Sequence, residues 1–66
     1  MYFINVILPL NLDKTFTYSV NVEEYKFLQP GMRVTVPFGK TKVYTALVVE
    51  KHTNPPVLYE AKEISQ

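Results

Sequence analysis

An alternating run, Met32–Val36, and a second β run, Val43–Val49, stand on either side of a short segment containing Pro37, Phe38 and Gly39, and this spacing constrains the fold more than any other feature. In the first run Met32, Val34 and Val36 alternate with Arg33 and Thr35, the period-two pattern of a strand with one face on a core. Pro30-Gly31 before it has the chemistry of a type II turn: proline presets φ at the second position and glycine takes the positive φ required at the third. Pro37 has no amide hydrogen for a ladder, so it is expected to end the strand or lie on a sheet edge. The two runs read as a β-hairpin. Its tip, Phe38-Gly39-Lys40, is expected to expose an aromatic face, a bare backbone position and a cation.

The remaining segments supply more short strands. Tyr2 to Leu8 is dense in β-branched and aromatic residues and mostly apolar on both faces, as in a central strand that Pro9 ends. Leu10 to Lys14 is a connector. Thr15 to Val20 alternates without a break, with Phe16, Tyr18 and Val20 on one side and hydroxyls on the other. Asn21-Val22-Glu23-Glu24 fits a capping box, which predicts a short helix stopped by Pro30, with a folded loop as the alternative. His52 to Pro56 reads as a linker. Val57 to Ile64 alternates as a last strand, although Glu60-Ala61-Lys62-Glu63 also suits a helix. The expected fold is mainly β: a small barrel-like (OB-like) antiparallel sheet of about five strands with one short helix or turn near residues 22–28. Closure removes the edges that so short a sheet would otherwise expose.

With 66 residues the chain is expected to be one small domain, residues 1–66, near the lower limit for folding on a single core. Its end at Ser65-Gln66 without a capping element suggests a fragment of something longer. Apolar residues at 47% and charged residues at 20% suit a globular chain. No apolar run approaches the roughly 18–20 residues that span a bilayer, and the N-terminus has no basic region or cleavage site of a signal peptide. A cytoplasmic location and no membrane partner are the expectation. Cations concentrate on the hairpin: Arg33, Lys40, Lys42 and Lys51 stand against Glu50. That suits a nearby phosphate backbone, although charge alone favours a merely solvated surface.

Chemistry is narrowed by what is missing. Without cysteine there is no thiol nucleophile or thiolate metal site. The single histidine, His52, reads as a solvated residue of the linker, because a catalytic base needs an oriented partner. Two isolated glycines cannot build a phosphate-cradling loop, and the acids form no general acid/base pair. No catalytic residue, cofactor or metal is expected. Aromatic residues interleaved with cations remain. Phe16, Tyr18, Phe38 and Tyr44 offer faces for base stacking, worth about 1–3 kcal/mol per base, and Lys40, Lys42 and Lys62 offer phosphate contacts. Phe16 and Tyr18 equally well fill the core, Tyr18 above all. Spacing alone describes a small β-barrel binding module and leaves its ligand open.

The string Gly31-Met32-Arg33-Val34-Thr35-Val36-Pro37-Phe38-Gly39-Lys40, with Ala46-Leu47-Val48-Val49 after it, resembles the N-terminal domain of the bacterial replication-restart helicase family PriA (primosomal protein N′). Leu8-Pro9-Leu10 and Thr15-Phe16-Thr17-Tyr18 stand at the distances that family shows, so the resemblance spans about residues 4–64. It implies a domain that binds the 3′ end of a nascent DNA strand, as single-stranded DNA at a stalled fork, in a primosomal protein of DNA replication restart. By matching positions, the terminal nucleotide would meet Phe16, Thr17, Gly39 and Lys62; Lys40 and Lys42, as cations on the hairpin, would be outlying phosphate contacts. The family's usual acid after the phenylalanine is here Thr17, whose hydroxyl accepts more weakly than a carboxylate. The parent would be an ATP-dependent 3′–5′ DNA helicase. Its motor, ATP site and zinc region lie outside these residues, and its other domains would be partners of this one. The alternative is a protein-interaction or architectural β-barrel subdomain with no ligand of its own.

Overall fold

The computed structural model describes residues 1–11, 13–56 and 60–65. Its elements run β1 (Tyr2–Ile7), β2 (Phe16–Val20), α1 (Val22–Phe27), β3 (Arg33–Phe38), β4 (Lys42–His52) and β5 (Lys62–Glu63). The strands form one curled sheet in the order β3-β4-β1-β2-β5. This is the mainly β, OB-like half-barrel with one short helix that the alternation predicts.

The hairpin follows from its turn. Met32 N–H donates to the Gln29 carbonyl at 3.0 Å, and Gly31 has φ +98°, so Gln29 to Met32 is a type II turn with Pro30 and Gly31 in its central positions. Gly31 N–H then donates to Val48 O and Val48 N–H to Met32 O, each at 2.8 Å, and these bonds start the β3–β4 ladder. β3 is the first strand of the sheet, so Pro37 sits on an edge strand, where a missing donor costs no ladder bond. That edge is covered from the other end of the sheet. Ser65 N–H donates to Thr35 O at 2.7 Å, and the Tyr18 hydroxyl donates to Pro37 O at 2.7 Å. These two bonds curl the sheet toward closure.

β1 is central, between β4 and β2, and both its faces are used. Ile4 and Val6 are wholly buried on the inner face with Val36 and Val48, and Phe3 is buried on the outer one. The capping box forms as expected. Glu24 N–H donates to Asn21 Oδ1 at 2.7 Å, and Asn21 N–H donates to Glu24 Oε1 at 2.8 Å. Leu28 closes the helix and is buried in the core.

Three expectations are corrected. The second hairpin strand runs on past Val49 to His52, so His52 belongs to β4 and not to the linker. The sheet is not wholly antiparallel: β5 pairs in parallel with β2, Tyr18 opposite Lys62 and Ser19 opposite Glu63. β4 already runs the same way as β2, so the connection from β4 to β5 must return the chain before it can pair. The last strand is also shorter than its alternation predicts. Residues 57–59 of it lie outside the described residues, and Glu60 and Ala61 precede the ladder.

A bulge in β4 has the largest consequence. Asn5 pairs with Glu50 but Val6 pairs with Val48, which leaves Val49 as an extra residue. Before it, Ala46 and Val48 point into the core. An uninterrupted strand would send residue 50 the same way, because alternation has period two. The extra residue reverses the parity, so Glu50 and His52 emerge on the outer face beside Asn5.

Candidate functional site

Where the start of β2, the hairpin tip and β5 converge, a cleft of about 170 Å³ is lined by Phe16, Thr17, Tyr18, Pro37, Phe38, Gly39, Glu60 and Lys62. Phe16 is half-buried at the first position of β2. Its ring meets Phe38 edge-on, centroids 5.3 Å apart and planes at 83°, and Phe38 meets Tyr44 at 6.0 Å and 64°. Aromatic pairs of this geometry are favourable by about 0.5–1.5 kcal/mol beyond area burial, so the three rings hold one another in place. Lys14 stands over the Phe16 ring with its ammonium 5.2 Å from the centroid. Tyr18 is 4% exposed and belongs to the core, as expected.

Phe38 corrects another expectation. It is the last residue of β3, half-buried between two rings, and not an exposed tip. The tip proper begins at Gly39. Its φ of +72° lies in the left-handed region that favours glycine, and a Cβ placed there would meet nothing within 4 Å. Backbone conformation therefore selects glycine at this position, and the space above it is open. The Gly39 carbonyl accepts from Lys62 Nζ at 3.2 Å, which ties β5 to the hairpin across the cleft.

Thr17 follows Phe16 in β2, so alternation turns its side chain to the sheet's outer face. There its hydroxyl donates to Asn5 Oδ1 at 2.7 Å. Asn5 Nδ2 donates to Glu50 Oε1 at 2.6 Å, and His52 Nε2 lies 2.9 Å from Asn5 Oδ1. The Asn54 amide donates to His52 Nδ1 at 3.2 Å, so Nδ1 carries the lone pair and Nε2 the hydrogen that goes to Asn5. The His52 ring also stacks on Phe3 at 5.8 Å and 19°. The expectation of a solvated histidine is thus overturned. The β4 bulge brings His52 into a polar network that anchors Thr17.

The cleft brings together Phe16, Thr17, Gly39 and Lys62. Lys40 in the turn and Lys42 at the first position of β4 are exposed and do not line it. Sequence reasoning missed Glu60 and Lys14. Both leave a faint signal: Glu60 lies two residues from Lys62, and Lys14 two residues from Phe16. Among the described residues no group of three or more His, Cys, Asp or Glu is arranged to hold a metal ion, and no helix is long and apolar enough to cross a membrane.

Comparison with known families matches residues 5–66 to the family model described as the 3′ DNA-binding domain (3′BD) of PriA. No curated protein and no solved structure matches the chain.

Proposed function

The chain belongs to the family of PriA 3′ DNA-binding domains, and from that premise we propose that its cleft holds the 3′-terminal nucleotide of a DNA strand. In this reading Phe16 is the wall on which the terminal base or sugar packs. Gly39 leaves its backbone open to close approach. Lys62 needs only one of its three N–H donors for the Gly39 carbonyl and turns the others to phosphate. Thr17 borders the cleft from the next position of β2, with its hydroxyl held on the outer face by Asn5. Lys40 and Lys42, exposed on the hairpin, meet phosphates further along the strand. Recognition of an end needs no sequence readout, since a cleft closed on one side excludes a continuing strand by bulk. A 3′-end-binding domain is a non-catalytic module. We further propose that it serves a larger cytoplasmic replication-restart helicase, by engaging the nascent strand at stalled forks.

One observation carries this reading: the Phe16-Thr17 pair, Gly39 and Lys62 come from three segments distant in sequence yet line one aromatic-walled cleft. A titration of the domain with a linear single-stranded oligonucleotide and a covalently closed circle of the same sequence tests it. The reading requires much tighter binding to the linear strand, and equal binding to both overturns it. A second reading, a surface that docks a protein or another domain, is favoured by exposed apolar residues on the outer face of the sheet. Ile7 and Leu47 are cross-strand partners at 44% and 38% exposure. Salt separates the two, because phosphate contacts weaken as salt rises and apolar docking does not.

A further inference from the structure

A cleft offered to the end of a polyanion has one carboxylate among its lining residues, Glu60. That acid needs an explanation, because a phosphate oxygen brought to it is repelled. The repulsion is stronger beside aromatic walls than in bulk water. At a free DNA end the sugar carries one group that donates a hydrogen bond, the terminal 3′-hydroxyl. The same nucleotide carries its phosphate on the 5′ side. Glu60 and Lys62 line the same cleft, and this adjacent anion and cation complement a hydroxyl and a phosphate on one nucleotide.

We propose that Glu60 is the specificity-determining residue of the cleft, its carboxylate accepting the hydrogen of a free 3′-hydroxyl and rejecting any 3′-phosphate or continuing diester. This rests on the reading of the cleft as the seat of the 3′-terminal nucleotide. Lys62 then supplies attraction shared by every DNA end, and Glu60 supplies the discrimination between ends. A charged acceptor suits that role, since hydrogen bonds to ionised groups are the strong ones, and a like charge placed against the wrong ligand is the usual way to reject it. Exposure of Glu60 at the cleft rim leaves it accessible to an incoming end.

The test compares wild type and Glu60→Gln in anisotropy titrations with two oligonucleotides of one sequence, one ending in a 3′-hydroxyl and the other in a 3′-phosphate. Wild type is expected to prefer the hydroxyl end. In Glu60→Gln the preference falls at least about tenfold, chiefly because the 3′-phosphate strand now binds more tightly. A preference that persists in Glu60→Gln overturns the role of Glu60, whether both affinities stay constant or both rise together. Wild type without any preference overturns the reading of the cleft itself, so the two failures are distinguishable. Glu60→Asp, which keeps the charge, is expected to retain rejection of the 3′-phosphate while binding the hydroxyl end more weakly.

Discussion

Replacing Phe16 by leucine separates a binding wall from a core residue. The substitution keeps most of the apolar bulk and removes the π-face. On the stability side it forfeits the edge-on pair with Phe38 at 5.3 Å and the Lys14 ammonium over the ring. These are worth about 0.5–1.5 kcal/mol and about 0.5–1 kcal/mol respectively. A domain of this size has roughly 3–10 kcal/mol of stability, scaled at about 0.05–0.15 kcal/mol per residue. Phe16→Leu therefore stays folded in the cold, with a melting temperature lower by about 4–8 °C for each kcal/mol lost. Phe16→Ala is a poorer probe, because removing a phenylalanine ring costs about 3–5 kcal/mol when it is fully buried and threatens the fold itself. On the binding side, loss of one stacked base costs about 1–3 kcal/mol, a drop of about 5- to 150-fold in affinity for a free 3′ end. Circular dichroism melting and anisotropy titration at low temperature read the two effects. A folded Phe16→Leu that binds as wild type does, within about twofold, would falsify the stacking role and leave Phe16 as a packing residue alone.

Lys62→Met keeps the aliphatic stem and removes the ammonium, so it breaks the bridge to the Gly39 carbonyl. Binding should weaken, and the slope of log affinity against log salt should fall by about 0.7, the single-strand value for one phosphate contact. An unchanged slope would mean that Lys62 only ties β5 to the hairpin. At Gly39, with φ +72° and open space around a Cβ, alanine costs about 1–2 kcal/mol of backbone strain and asparagine less, as melting temperatures would show. If alanine is harmless there, the turn does not hold its left-handed geometry in solution. Asn5→Ala removes the acceptor shared by Thr17 and His52 and the donor used by Glu50. It should cost about 1–3 kcal/mol in urea unfolding and also weaken 3′-end binding through Thr17; loss of stability with binding intact would take Thr17 out of the site.

Much of the fold is written locally. The Pro30-Gly31 turn, the Asn21–Glu24 capping box and the alternation of Phe16, Tyr18 and Val20 each depend on residues within a few positions of one another, and each forms as the sequence implies. What could not be read depends on distant pairings. Leu47-Val48-Val49 breaks the alternation of β4, yet only the register against β1 shows that Val49 is the extra residue. That one residue decides whether Glu50 and His52 face the core or the Asn5 network. The parallel pairing of β5 is equally invisible, since strand direction is set by the path of the whole connection. The resemblance named Phe16, Thr17, Gly39 and Lys62, which line one cleft, but Glu60 and Lys14 belong to loops whose neighbours only the fold supplies.

The most direct test of where the 3′ end sits is an amide-resolved NMR titration of the domain with a short single-stranded oligonucleotide bearing a free 3′-hydroxyl. Seating in the cleft predicts that the largest shift changes fall on amides of residues 16–18, 38–40 and 60–62, and that they shrink when the 3′ end is capped with phosphate. Changes centred on Ile7 and Leu47 of the outer face, or unaffected by the cap, would contradict it.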